Sequence, residues 1–342
     1  MKNRNSNFEL LRILAMMGVV ALHYVNGAIG GVELYANFPN FSWFFTVAVR
    51  SLAVPLVNVF VLITGYYMVT KTKHSYRKAA DIFVTVTFYS IVIYLAQTAL
   101  SGSPITLKEL GKSLLPFLFG GAWFFRTYVI LCLLAPFLNK TLQQLSMASY
   151  HRLLLIQLLV FSLWYSIGYG SPITDHGYGI LNFVTLYLIG GYLRLFGKES
   201  PLLRGWTSGK CLLAFLAMCL LTFAAAIYVN SFGYSFISSV LGSVFVFAAM
   251  LKRGEWVSRP VNFLARNAFD VFFLHGAWAY RLIGMDLVRD CNGPLLIPHL
   301  LLAVCFCYLL GTLSGCLRRA LFGLTVDRWL DRLPWLNRTF EV

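Results

Sequence analysis

The sequence predicts an all-α, polytopic integral-membrane bundle of about ten transmembrane helices with both termini cytoplasmic. Three observations carry that prediction: an apolar composition, a succession of membrane-length apolar runs, and a one-sided distribution of Lys and Arg. Apolar residues make up 58% of the 342-residue chain and charged residues only 12%, which sets it apart from water-soluble domains. Mean hydropathy is +0.71, in keeping with that reading. The formal net charge of +15 would suit a nucleic-acid ligand, so the placement of the cations has to decide what they do.

The first predicted span, Phe8 to Gly31, is long enough to cross a bilayer but contains Arg12 and His23. Eleven residues at about 100° each return those side chains to within roughly 20° of one helix face, about 16 Å apart along the axis. Met16, Val19 and Asn26 fall on or near the same stripe. A stripe with a guanidinium, an imidazole and an amide is costly against lipid, so it points to a protein interior or a watery cavity. The bland readings are a snorkelling anchor for Arg12 and a hydrogen-bonded core histidine for His23.

The second span runs from Trp43 to Val69, with Pro55 as a source of bending and Arg50 and Asn58 as buried polar residues. A third covers Ala79 to Leu100. Residues 113–138 are apolar but interrupted at Pro116, Gly120 and Gly121, so the first part reads as re-entrant or peripheral and Trp123 to Leu138 as the fourth span. Arg126 sits just inside it beside Trp123, Phe124 and Phe125, either bordering a polar cavity or anchoring the interface. The next spans are Leu153 to Ile167, Leu181 to Phe196, Cys211 to Val229 and Phe236 to Leu251. His176, in the polar loop with Pro172 and Asp175, reads as solvated. Gly190 and Gly191 in the sixth span allow close helix approach.

The ninth span, Asn262 to Ile283, is polar at its start, with Arg266, Asn267 and Asp270; spacing lets Arg266 and Asp270 pair, and sets His275 on nearly the opposite face. The tenth is Leu300 to Leu317. Residues 1–320 thus form one membrane domain, and 321–342 a short amphipathic cytoplasmic tail in which Trp329 and Trp335 alternate with Arg328 and Arg332.

Ten spans put both termini on one side, and the charges agree. That side receives Lys2 and Arg4; Lys71, Lys73, Arg77 and Lys78; Lys140 and Arg152; Arg194, Lys198, Arg204 and Lys210; Lys252, Arg253, Arg259 and Arg266; and Arg318, Arg319, Arg328, Arg332 and Arg338. The other receives only Lys108, Lys112, Arg281 and Arg289. This asymmetry makes the termini cytoplasmic and accounts for the net charge with no nucleic acid as partner. The seven cysteines lie mostly in apolar runs and form no zinc pattern, and the first span lacks a small-residue cleavage site. No internal repeat or phosphate-binding loop is evident.

These residues bring a resemblance into view. The chain resembles the acyltransferase-3 family of integral-membrane acyltransferases, which includes bacterial O-acetyltransferases of surface glycans. Arg12 and His23 match that family's Arg, ten residues, His pattern. Val59 to Tyr66, VFVLITGY, matches its second-helix signature, Trp123 and Phe124 its Trp-Phe pair, and Val271 to His275, VFFLH, its late run ending in His. The SGNH-type soluble domain of some relatives is not expected here.

The resemblance implies transfer of an acetyl or other short acyl group from acyl-CoA to a hydroxyl of a cell-envelope carbohydrate or lipid-linked sugar, in a bacterial inner membrane. It implies His23 as general base, with an acyl-His intermediate open as the alternative. Arg12 would orient the donor, with Arg266, Asn267 and Asp270 as a donor-side network. Arg126 and His275 would help complete the catalytic centre, and Arg50, Asn58, Gly65, Tyr66 and Trp123 would shape the substrate pocket. Acyl-CoA is then a substrate, with no permanently bound cofactor or metal, and membrane lipids are the remaining partners. A homo-oligomer stays open. The alternative is a transporter or flippase for a small polar or lipid-linked solute, since buried charges and broken helices serve that role too.

Overall fold

A computed structural model of the chain describes residues 5–26, 31–119, 123–168, 175–197, 199–200, 204–288 and 290–342, apart from the side chains at 34, 35, 277, 278 and 281. The expectations at Lys2, Arg4, Gly27 to Gly30, Gly120, Gly121, Pro172, Lys198 and Arg289, and at the Arg281 side chain, lie outside these residues. Among the described residues the chain is helical and has no strand, only an isolated bridge between His74 and Phe340.

Helix α1, Ser6–Tyr24, begins where the Asn5 side chain accepts a hydrogen bond from the Asn7 N–H. It ends at Tyr24, well short of Gly31. Helix α2, Phe41–Met68, is capped by Asn40, whose side chain accepts from the Trp43 N–H at 2.8 Å, and contains Pro55 without being ended by it. Helix α3, Arg77–Ser101, ends at Gly102 in the left-handed conformation, where glycine carries no Cβ penalty. Two short helices, α4 (Leu107–Leu114) and α5 (Pro116–Phe119), precede α6, Trp123–Gln144. Helix α7, Met147–Gly168, contains one π-turn at Leu159–Leu163. Helices α8, Ile180–Leu195, α9, Ser208–Ala225, and α10, Ile237–Leu251, follow.

The expected ninth span is not one helix. It is divided into α11 (Arg259–Arg266), α12 (Ala268–Leu274), α13 (Ala277–Leu282) and α14 (Met285–Val288). The first break has a local cause. The Asn267 side-chain amide donates to the Phe263 carbonyl at 2.8 Å, taking the acceptor that its own backbone N–H would use, and that N–H bonds Leu264 instead. The second falls at His275 and Gly276, where ψ of His275 turns to 85°. Helix α15, Leu296–Leu324, runs through residue 320, and α16 (Val326–Asp331) and α17 (Pro334–Asn337) complete the chain.

Helix α2 is the packing centre, flanked by α1, α8 and α10. Its approach to α8 depends on two glycines: a Cβ on Gly65 would lie 2.3 Å from the Tyr187 carbonyl oxygen, and one on Gly190 2.3 Å from that of Leu62. The distribution of polarity is inverted relative to a water-soluble bundle. Leu213 and Leu220 of α9 and Leu309, Leu313 and Leu317 of α15 face outward, while Asn58, Asn139, Asn182, Asp270 and His275 are buried. Six of the described helices, α1, α2, α3, α7, α9 and α15, are long and apolar enough to cross a membrane, and α8 and α10 are shorter apolar helices. The chain is accordingly a multi-pass membrane protein.

The carboxy-terminal segment braces α3. Arg77 meets Asp331 at 2.6 Å, Asp81 at 2.8 Å and Asp327 at 3.8 Å, while His74 and Phe340 exchange backbone hydrogen bonds of 3.0 and 2.9 Å.

Candidate active site

Arg12 and His23 do share a face, and that face borders a cavity of about 340 Å³. Helix α1 contributes Glu9, Arg12, Met16, Val19 and His23, as the helical period requires. Helix α2 supplies Val57, Phe60, Ile63 and Thr64 at its own helical spacing, α3 supplies Lys78 and Ile82, and α6 supplies Trp123, Phe124, Phe125 and Tyr128. Arg266 at the end of α11, Phe269 and Phe272 of α12, and Tyr234 from the turn before α10 complete much of the wall. Three cations therefore border the cavity, against Glu9 as the one carboxylate among the described lining residues.

Several of the polar groups are held by neighbours. The Arg12 guanidinium donates to the Glu9 carboxylate at 2.6 Å, one helical turn away, and remains 30% exposed, so it can reach a second anion. The Lys78 ammonium donates to the Tyr128 hydroxyl at 3.1 Å, and that hydroxyl lies 2.8 Å from the Thr64 hydroxyl. Trp123 stacks on Tyr234 with ring centroids 5.3 Å apart. Nδ1 of His23 lies 2.9 Å from the Val19 carbonyl oxygen and 2.8 Å from Nε2 of His275, whose own Nδ1 lies 3.2 Å from the Val271 carbonyl oxygen. Phe272 meets the His275 ring edge-on at 5.1 Å.

The structure thus gathers Arg12, His23, Trp123 and Arg266 around one cavity, with His275 directly behind His23. The other expected site residues stand apart from the wall. Arg50 pairs with Glu33 and lies 4.0 Å over the Phe232 ring. Asn58 donates to the Tyr234 carbonyl at 2.8 Å, so it supports a wall residue from behind. Gly65 sits at the α2–α8 crossing, and Tyr66 packs among Phe8, Tyr67 and Phe247 with Arg194 5.2 Å over its ring. Arg126 is turned toward the Phe117 carbonyl at 3.5 Å.

Asp270 is fully buried and pairs not with Arg266 but with Arg318 at 2.7 Å and Arg319 at 3.4 Å; it also accepts from the Tyr89 hydroxyl at 2.7 Å. Asn267 accepts from Arg319. The break after Arg266 is the reason, because it removes the four-residue register that an unbroken helix would give.

Sequence reasoning missed Lys78, Thr64, Tyr128 and Tyr234. Lys78 lies in a cluster of four cations that charge asymmetry alone explains. The available signal was its spacing to Ile82, four residues on, which puts one cation of that cluster on the inward face of α3.

The sequence profile of a family described as an acyltransferase domain matches residues 5–317, a stretch that includes all the cavity residues named above. Searches of curated proteins and of solved structures return no match.

Proposed function

The chain belongs to the acyltransferase-3 family, and from that premise we propose that it moves an acetyl or other short acyl group from acyl-CoA to a hydroxyl of a cell-envelope carbohydrate or lipid-linked sugar. The observation that supports this most is the single cavity carrying Arg12, Lys78 and Arg266 together with His23. On one helix Arg12 and His23 are separated by about 16 Å of rise, so a donor whose phosphates are held by the cations would have to be an extended molecule to present its thioester at the imidazole. Acyl-CoA has that form.

The chemistry then divides among the residues. Arg12, Lys78 and Arg266 neutralise donor phosphates, Arg12 with a planar two-point contact. His23 removes the proton from the acceptor hydroxyl as its oxygen attacks the thioester carbonyl, and the thiolate leaves with that proton when the C–S bond breaks. An alternative order, in which the acyl group first passes to His23, uses the same residue. The stacked Trp123 and Tyr234 rings, both on the cavity wall, offer an apolar surface to a sugar. No permanently bound cofactor takes part. Asn267 and Asp270, engaged by Arg319 and absent from the cavity wall, would have no direct contact with the donor.

In this reading the chain crosses a bacterial inner membrane ten times, with the broken α11–α14 region serving as one crossing and both termini cytoplasmic. A cysteine-labelling probe at Lys73 or Arg204 would then react from the cytoplasm and one at Asn37 or Gly102 from outside; the opposite pattern would overturn the topology. Function is tested by incubating purified protein with labelled acetyl-CoA and candidate envelope glycans and weighing the products. A labelled ester on a glycan is the expected result, and transport of an unmodified glycan without any ester would reject the proposal.

A further inference from the structure

With both rings neutral, the contacts around His23 and His275 have one chemically consistent proton assignment. A carbonyl oxygen can only accept, so the 3.2 Å contact from His275 to Val271 requires the proton on Nδ1 of His275. Its Nε2 is then a bare acceptor. Likewise, the 2.9 Å contact from His23 to the Val19 carbonyl requires the proton on Nδ1 of His23, and that one N–H is shared between the carbonyl and Nε2 of His275 at 2.8 Å. The reverse assignment would set two nitrogen lone pairs against two carbonyl oxygens. Nε2 of His23 is therefore left with its lone pair, on a residue that borders the cavity.

We propose that His275 is a positioning residue that holds His23 in the Nδ1–H tautomer and receives its Nδ1–H when Nε2 takes a proton or an acyl group. The proposal rests on His23 being the reacting group in the function proposed above. A neutral imidazole here does what a carboxylate does in a Ser-His-Asp arrangement: it orients the working ring and stabilises the cation that forms on it. A neutral partner suits this place. His275 is buried at 7% exposure, where a carboxylate would carry a desolvation cost and could trap His23 as a permanent imidazolium unable to act as a base. The VFFLH run supplies the means. Helix α12 ends at His275, and the turn of its backbone to ψ 85° brings this ring to His23 across 252 positions of sequence.

The other charged or titratable groups bordering the cavity are Glu9, Arg12, Lys78, Tyr128, Tyr234 and Arg266. A test has to separate the role of His275 from theirs and from simple packing. Two replacements do so. His275→Phe keeps a ring of similar size and removes the acceptor, whereas His275→Gln changes the shape but offers a carbonyl oxygen near the position of Nε2. The full chain in detergent or nanodiscs is treated with diethyl pyrocarbonate, a probe that reacts with the imidazole lone pair, and modification of His23 is timed by peptide mass mapping. His275→Phe should slow it about tenfold, the size expected on removing one charge-assisted hydrogen bond, and His275→Gln should retain most of the wild-type rate. The same order should appear in kcat for labelled acetyl-CoA, with KM for acetyl-CoA unchanged.

If Phe equals or exceeds Gln in His23 modification, packing is what matters at this position and the proposal is overturned. Should neither variant fold, two-dimensional NMR of the ¹⁵N-histidine-labelled wild-type chain reads the same point: a coupling across an N–H···N bond between His23 and His275 supports the pairing, and a proton on Nε2 of His23 overturns it. Retention of the Gln-over-Phe order in a protein that transfers no acetyl would leave the pairing standing and reject the acyl-CoA reading alone.

Discussion

The two ends of helix α12 hold buried polar groups of opposite kinds. At its start, Asp270 has no exposed surface and is satisfied by Arg318, Arg319 and Tyr89. At its end, His275 makes one bond to its own helix and one to His23, a ring that borders a cavity. Within six residues the same helix provides a neutralised ionic knot and an imidazole contact that leads to the wall of a cavity. Burial and polarity alone do not mark a reaction centre. In the function proposed above, what distinguishes the second end is that its hydrogen bonds lead to a ring on a cavity wall, where a substrate can meet it.

The strongest way to break this comparison is at His23. In His23→Ala, membrane insertion should be retained and acyl transfer reduced by about 10²-fold or more, as when a general base is lost. Turnover by folded, donor-binding His23→Ala protein at near the wild-type rate would remove the basis for treating the two ends differently. Asp270→Asn probes the other end. Removing one partner from a buried ionic cluster leaves Arg318 and Arg319 uncompensated, and the loss of unfolding free energy should be about 3–5 kcal/mol, read from denaturant titration in detergent. An unchanged unfolding midpoint together with weakened acetyl-CoA binding would make Asp270 a ligand group after all.

Arg12→Gln and Lys78→Gln sharpen the assignment of the cavity cations. Each should raise KM for acetyl-CoA about tenfold with a smaller change in kcat, because a phosphate contact is made equally in the ground and transition states. A fall in kcat at constant KM would move either residue to the reacting centre. The smallest effect is expected at the exposed pair of Glu109 and Lys112, whose side chains are 47% and 42% exposed. Glu109→Gln should change stability by less than about 1 kcal/mol in the same titration, a baseline against which the Asp270 value can be judged.

Much of this was legible in the chain. The sharing of one face by Arg12 and His23 follows from a period within a single helix, and the apolar runs mark most of the helices to within a turn or two. What escaped is tertiary. Nothing local tells Asp270 to choose Arg318, 48 positions away, over Arg266 at four, because that choice depends on Asn267 diverting a backbone acceptor and breaking the helix. Lys78 was hidden for a different reason: positive charge at a helix end has a sufficient cause in membrane orientation, so an inward-facing lysine leaves no separate mark in composition.

The brace between the chain's end and α3 has a practical meaning for how this molecule can be divided. The family match stops at residue 317, yet α15 continues to Leu324, and beyond it Asp327, Asp331 and Phe340 are the groups that grip Arg77 and His74. Lys78, on the cavity wall, is the very next residue after Arg77. A chain trimmed where the resemblance ends would therefore lose the outer clamp on the helix that delivers one of its three cavity cations. The last residue the family profile matches and the last residue of the brace on α3 fall at different places in this protein.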